Sequence, residues 1–211
     1  MRRKRLERLL GSLEAHPAPK SHLEQYTIPE GLAAKILTLA AYTFNDIEGR
    51  VVYDLGCGTG RLAIGAALLG ARQVVGVDVD PTAIRAAKRN VSKLNLGETV
   101  NLLVGDIEAL NGVCDVVLQN PPFGTRRHGT DVAFLSKALE VGRVVYSLHK
   151  SVTDAYVRRF AEERRASVTA IFTTEIEIPR LYEFHRRRKY SAAVNLYRLE
   201  KPLRGRVQPS N

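Results

Sequence analysis

From Arg50 onward the chain alternates short runs rich in Val, Leu and Ile with segments of helical apolar spacing, and that alternation leaves few folds open. Such runs, bounded by turn residues and separated by helices, mark βαβ units joined in a parallel sheet. Seven runs qualify as strands: residues 51–55, 73–77, 100–104, 115–119, 144–148, 168–178 and 192–199. Helices fit between the first three, one with Asp80 as its cap and Pro81 at its first position. Two more are predicted over 131–142 and 151–165. Upstream, Leu6, Leu9, Leu10 and Leu13 form the stripe of an amphipathic helix whose other face carries Arg2, Arg3, Arg5 and Arg8. A second helix is expected from Pro29, a good first-turn residue, to Ala41.

At 211 residues and 45% hydrophobic content, the chain suffices for one buried α/β domain and is short for two. The expected division is a basic helix and linker over 1–22, the domain over 23–200 and a basic, flexible tail over 201–211. Lys and Arg number 32 against 22 Asp and Glu, and a net charge of +10 attracts a polyanion, with nucleic acid the leading partner. A basic, solvated surface would give the same count, so the sites must decide. Two cysteines, Cys57 and Cys114, are too few for a disulfide scaffold and lack the paired spacing of a zinc site, so no metal is expected. No apolar stretch follows the charged start and none approaches transmembrane length, which points to a cytoplasmic protein without membrane attachment.

Three strand ends carry the first chemistry. Residues 51–55 lead into Gly56-Cys57-Gly58-Thr59-Gly60, where glycines let the backbone turn tightly and approach a ligand at the carboxyl end of a central strand. A turn that merely needs flexible residues would look alike. A dinucleotide fingerprint needs a third glycine where Arg61 stands, which weakens that reading. The second strand ends in Asp78, a carboxylate placed to accept from both hydroxyls of a ribose, with Asp80 the helix cap. After the third comes Asp106-Ile107, an acid suited to accept from the amino group of an adenine. Glycine turn, acid and acid on successive strand ends are hard to assign to chance.

The run Asp54 to Gly60 resembles the first motif of class I S-adenosylmethionine-dependent methyltransferases. The resemblance implies a Rossmann-like, seven-stranded, mostly parallel sheet with helices on both faces and an antiparallel last strand. It also implies that Asp54, Gly56, Gly58, Thr59 and Gly60 form the binding loop for the methionine portion of S-adenosylmethionine. Asp78 would then hold the ribose and Asp106 the adenine, with Ile107 beside the ring.

The fourth strand closes with Asn120-Pro121-Pro122-Phe123-Gly124. Two prolines stiffen this backbone and remove its donors, so the Asn120 side chain and the Pro121 carbonyl present acceptors at a set spacing. That grip suits a planar amino group, and Phe123 is placed to stack on a target base. A stiff turn with an aromatic plug is the plain alternative. The motif does not specify adenine: methyltransferases of release-factor glutamines and some of guanine N2 carry similar runs.

Beyond these motifs, from about residue 23 to 199, the chain resembles the small-subunit ribosomal RNA adenine-N6 methyltransferases of eukaryotes and archaea. The carrying residues are Leu23-Glu24-Gln25-Tyr26, the runs Asp54–Gly58 and Asn120–Thr125, Gly129-Thr130-Asp131, Ala133-Phe134-Leu135, the run from Val145 to Lys150, and Phe184-His185. The resemblance implies N6-methylation of one adenosine in small-subunit ribosomal RNA and pairing with a small zinc-binding activator that covers apolar surface. Gln25 carries over as a cofactor contact, with Thr27 beside it, although the family's threonine stands three residues after the Gln. For RNA, the basic segments Arg126-Arg127 and His185-Arg186-Arg187-Arg188-Lys189 offer phosphate contacts, interleaved with aromatics in the second case. A protein-glutamine methyltransferase and a non-catalytic RNA-binding assembly factor are the competing readings.

Overall fold

The computed structural model describes residues 1–123, 129–179 and 189–202. Strands β1 (Val51–Leu55), β2 (Gln73–Asp78), β3 (Val100–Val104), β4 (Cys114–Gln119), β5 (Gly142–Lys150), β6 (Ser167–Pro179) and β7 (Lys189–Glu200) form one sheet in the order β3-β2-β1-β4-β5-β7-β6. The first five run parallel, while β7 lies antiparallel to both β5 and β6. This is the expected fold, with each expected strand present. The last two strands extend beyond the expected 168–178 and 192–199 because their pairing is sustained by backbone bonds through Lys189 to Ser191, which carry no strand-like apolar pattern.

Helices α1 (Arg3–Gly11), α2 (Glu30–Thr38), α3 (Arg61–Leu68), α4 (Pro81–Lys93), α5 (Thr130–Val141) and α6 (Asp154–Glu163) cover the two faces. Alternation along the strands separates two cores. Val116, Leu118, Val144 and Tyr146 pack with α1, α2 and α3, whereas Val117, Val145, Tyr197 and Leu199 pack with α5 and α6. Of the leucine stripe, Leu6, Leu10 and Leu13 join the first core, where Leu6 and Leu10 are fully buried. Each such leucine contributes about 1.5–3 kcal/mol.

Helix boundaries shift where side chains compete. The Thr38 hydroxyl donates back to the Ala34 carbonyl (2.7 Å), and the expected helix to Ala41 gives way after Thr38 to a wider π turn over Leu39–Thr43. Pro29 precedes the first helical residue and does not occupy it. The expected helix over 151–165 is a 3₁₀ turn at Ser151–Thr153 followed by α6. Asp80 caps α4 as expected, accepting from the Thr82 amide (2.9 Å), with Pro81 opening the helix.

At the amino-terminal edge of the sheet, buried Asp46 accepts from the Tyr146 hydroxyl (2.6 Å) and from Arg198 Nε (2.8 Å). The link joins the segment before β1 to β5 and β7. At the opposite edge, the chain leaves β1 toward β2 and leaves β4 toward β5. That reversal opens a crevice beyond the carboxyl ends of the strands, where sheets of this kind take ligands.

Candidate active site

The crevice holds a cavity of about 710 Å³. Its wall includes Gln25, Thr27, Asp54, Gly56, Gly58, Thr59, Asp78, Asp106, Ile107, Asn120 and Pro122. Residues expected at a cofactor pocket and residues expected at an acceptor site are thus brought to one space. Gly60, Pro121 and Phe123 lie outside that lining.

The loop after β1 turns through three glycines with positive φ. At Gly56 a side chain is doubly excluded: φ is +67°, and a Cβ would stand 2.9 Å from the Phe134 ring. The loop is then pinned by acids. Asp54 accepts from the Ala63 amide (2.8 Å) in the first turn of α3, where free N–H groups and the helix dipole favour a carboxylate. Burial opposes this and, with nearby Asp78, pushes the Asp54 carboxyl up to about 7. Asp78 accepts from the Gly58 amide (2.8 Å) and the Asp80 amide (2.9 Å), so the expected ribose ligand also holds the glycine loop to the β2 end. Burial raises its pKa as well.

Asp80 does more than cap. It accepts from Lys20 (3.1 Å) and Gln25 Nε2 (2.9 Å) and pairs with His16 (3.1 Å), lashing the segment before α2 to the cavity rim. Burial would raise its pKa, but these bonds and the Thr82 amide outweigh burial and hold it well below the usual carboxylate range. The Gln25 amide is therefore committed, since its Oε1 also accepts from the Lys20 amide (2.8 Å). Asp106 stays exposed and caps a 3₁₀ turn through the Glu108 amide (3.0 Å), with Ile107 buried beside it.

On the acceptor side, Asn120 Oδ1 accepts from the Tyr26 hydroxyl (2.8 Å). The Tyr26 ring stacks on Phe123, centroids 5.7 Å apart and planes at 29°. The Phe123 amide donates to the Glu24 carboxylate (3.0 Å), and Lys150 Nζ stands 5.6 Å from the Phe123 ring centroid. Phe123, the expected stacking platform, is covered from within by Tyr26.

Sequence reasoning gave no role to Tyr26, Glu24, His16 or Arg61, all of which the fold brings to this site. Arg61, used earlier only to weaken the dinucleotide reading, lines the cavity; its Nη1 donates to the Ile28 carbonyl and lies 3.6 Å from Glu30, while its Nε is buried without a partner among the described residues. The signal available was its place one residue past the glycine loop. His149 is buried, bonds Ser147 Oγ (2.7 Å) and is pushed down to about 4 by burial, a packing residue. Burial raises both thiols, Cys57 well above its ordinary value and Cys114 to about 12, so neither is a ready nucleophile. Arg126, Arg127, His185, Arg186, Arg187 and Arg188 lie outside the described residues, and Lys189 opens β7 opposite Pro179. Among the described residues no cluster of His, Cys, Asp and Glu could hold a metal ion, and no helix is long and apolar enough to cross a membrane.

The model of the ribosomal protein L11 methyltransferase (PrmA) family matches residues 35–121. An uncharacterised protein of Methanocaldococcus jannaschii is 43% identical over 211 residues, covering 95% of each chain. The rRNA N6-adenosine-methyltransferase Mettl5 of Drosophila melanogaster is 36% identical, covering 93% of this chain and 95% of its own. The crystal structure of an RNA methyltransferase candidate from Pyrococcus horikoshii superposes with a TM-score of 0.89 at 40% identity, covering 96% of this chain and 99% of that one. Relatives of that identity and coverage, with this sheet order and this cavity, place the chain in the METTL5 family of rRNA N6-adenosine methyltransferases, enzymes dependent on S-adenosylmethionine.

Proposed function

We propose that this chain methylates the N6 of one adenosine in small-subunit ribosomal RNA. The observation that carries the reading is the meeting of Asn120, on the end of β4, with the glycine loop and Asp78 around one cavity. The cavity fits S-adenosylmethionine in kind: a side chain at Gly58 would project into open space, the acids suit a ribose and a cationic centre, and Ile107 supplies an apolar wall. Gly56, Gly58 and Thr59 would hold the methionine portion, Asp78 the ribose, and Asp106 with Ile107 the adenine. Gln25 and Thr27 would close the near wall, and Gly60 would act by shaping the loop from its left-handed position ahead of α3.

When bound, S-adenosylmethionine supplies a methyl group on a cationic sulfonium. This chain's task is to prepare the nitrogen that receives it. The lone pair of adenine N6 is delocalised into the ring and is a poor nucleophile. Asn120 Oδ1 and the Pro121 carbonyl would accept the two amino hydrogens, favour a tetrahedral nitrogen and aim its lone pair across the cavity. Pro122 keeps that backbone extended, and Phe123 would stack on the extruded base. No strong general base is required for the attack.

The arginines at 126 and 127 and the basic run at 185–189 would meet phosphate, and the exposed arginines of α1 would extend the contact. A zinc-binding activator would dock on the apolar edge of β3. The match to the L11 methyltransferase model favours a protein acceptor as a second reading, but it ends at Pro121, before Phe123 and the basic segments.

The test is transfer of labelled methyl from S-adenosylmethionine to small-subunit rRNA, with release factor as the competing acceptor. Asn120→Ala is expected to reduce transfer at least a hundredfold while calorimetry shows cofactor binding retained. Transfer to release factor alone would sink the RNA reading, and loss of cofactor binding in the variant would move Asn120 into the cofactor site.

A further inference from the structure

The acceptor site is occupied by the protein itself. Tyr26 presents a flat ring to Phe123 and an O–H donor to Asn120 Oδ1 at 2.8 Å. These are the two interactions that an incoming adenine would need: stacking on Phe123, and an N–H donated to the Asn120 oxygen. Burial pushes the Tyr26 hydroxyl pKa up, so it remains a donor. The ring is held there by its neighbours. Glu24 accepts from the Phe123 amide, and Gln25 is tied to Asp80. At the first of these anchors the backbone takes a left-handed turn, Glu24 having φ of +50°, a conformation that a residue with a side chain adopts at a cost.

We infer that Tyr26 is a surrogate for the target base, and that the adenine enters by exchanging its ring and amino hydrogen for the ring and hydroxyl of Tyr26. The inference rests on the reading that Asn120 and Phe123 form the acceptor site. Its first consequence is for affinity. A site that is competent only while Tyr26 is out binds more weakly in proportion to the fraction of time it is open. Its second is for selectivity. Adenine recovers both interactions that Tyr26 gives up, so the exchange is nearly balanced. A base with a carbonyl at the same edge, as in hypoxanthine, would face the Asn120 oxygen with another acceptor and recover only the stacking. The discrimination itself lies in the Asn120 oxygen, while displacing Tyr26 weakens every base by the same factor and leaves a base without a donor with less to bind by.

The experiment compares equilibrium binding of an oligoadenylate hexamer and an oligoinosinate hexamer to the wild-type full chain and to Tyr26→Phe, with S-adenosylhomocysteine present. The substitution keeps the ring and the charge, so the phosphate contribution to binding cancels in the comparison. Removing one hydrogen bond from the closed state is expected to tighten oligoadenylate binding about fivefold. Since displacing Tyr26 weakens all bases alike, oligoinosinate binding is expected to tighten by a similar factor, leaving adenylate preferred in both proteins. Unchanged or weaker oligoadenylate binding by Tyr26→Phe would overturn the inference and make the hydroxyl a positioning group for Asn120, with kcat on rRNA falling instead. If binding tightens as expected but the wild-type chain transfers no methyl to rRNA, the base surrogate stands and the methylation reading falls.

Discussion

Asp54 illustrates how a single carboxyl is caught between opposed demands. The Ala63 amide and the start of α3 favour its charge, while burial and Asp78 oppose it and win, leaving it at about 7. A carboxyl raised above its unfolded value of 3.8 binds more protons in the folded state, so its contribution to stability falls as pH rises from about 4 to about 7. His149, lowered by burial to about 4 from 6.5, works in the other direction, adding stability as pH rises through that window. Asp54→Asn keeps an acceptor for the Ala63 amide and removes only the first of these. Denaturant titrations of the variant across pH 4–7 are expected to show stability climbing more steeply with pH than in the wild type. An unchanged slope would mean that Asp54 stays ionised through the window.

Among the elements, β3 stands out as a sheet edge that carries apolar side chains outward. Leu103 is 47% exposed and Val104 55%, next to a row of backbone groups with no further strand to pair among the described residues. Edges of this kind are ordinarily blunted with charge or covered, and an uncovered one is a template for an added strand. If the zinc-binding activator proposed above docks here, a double Leu103→Lys, Val104→Lys change is expected to abolish its co-elution with the chain in size-exclusion chromatography, while cofactor affinity of the chain alone is retained. Persistence of the complex would place the activator elsewhere. Helix α1 shows how an element can divide its labour: Leu6 and Leu10 enter the first core, and Arg2, Arg3, Lys4, Arg5 and Arg8 remain exposed, none in an ion pair among the described residues.

At the scale of the whole molecule, the net charge of +10 acts through such unpaired cations. Exposed pairs such as Arg89 with Glu14 are screened by solvent and add little to folding, so the basic surface is poorly explained by stability. Phosphate binding explains it better, because each contact releases a counterion. Replacing Arg2, Arg5 and Arg8 by Gln is expected to reduce the slope of log affinity for rRNA against log salt by about two to three, with thermal stability held. An unaltered slope would confine RNA to the face bearing the acceptor site.

The sequence by itself determined the sheet, the glycine loop, the acids Asp78 and Asp106 on the next two strand ends and the Asn120–Phe123 motif. Each of these is local: short runs of Val, Leu and Ile, backbone torsions open chiefly to glycine, and proline stiffness act over a few residues and are readable from them. Tertiary structure alone decided how those pieces are filled and held. Asp80 became the anchor of His16, Lys20 and Gln25 as well as a helix cap, Arg61 became part of the cavity wall, and Tyr26 took the place opposite Asn120 across 94 residues of chain. Such pairings depend on distances through space set by the packing of α2, α3 and the sheet, and apart from the place of Arg61 beside the glycine loop no spacing along the chain signals them.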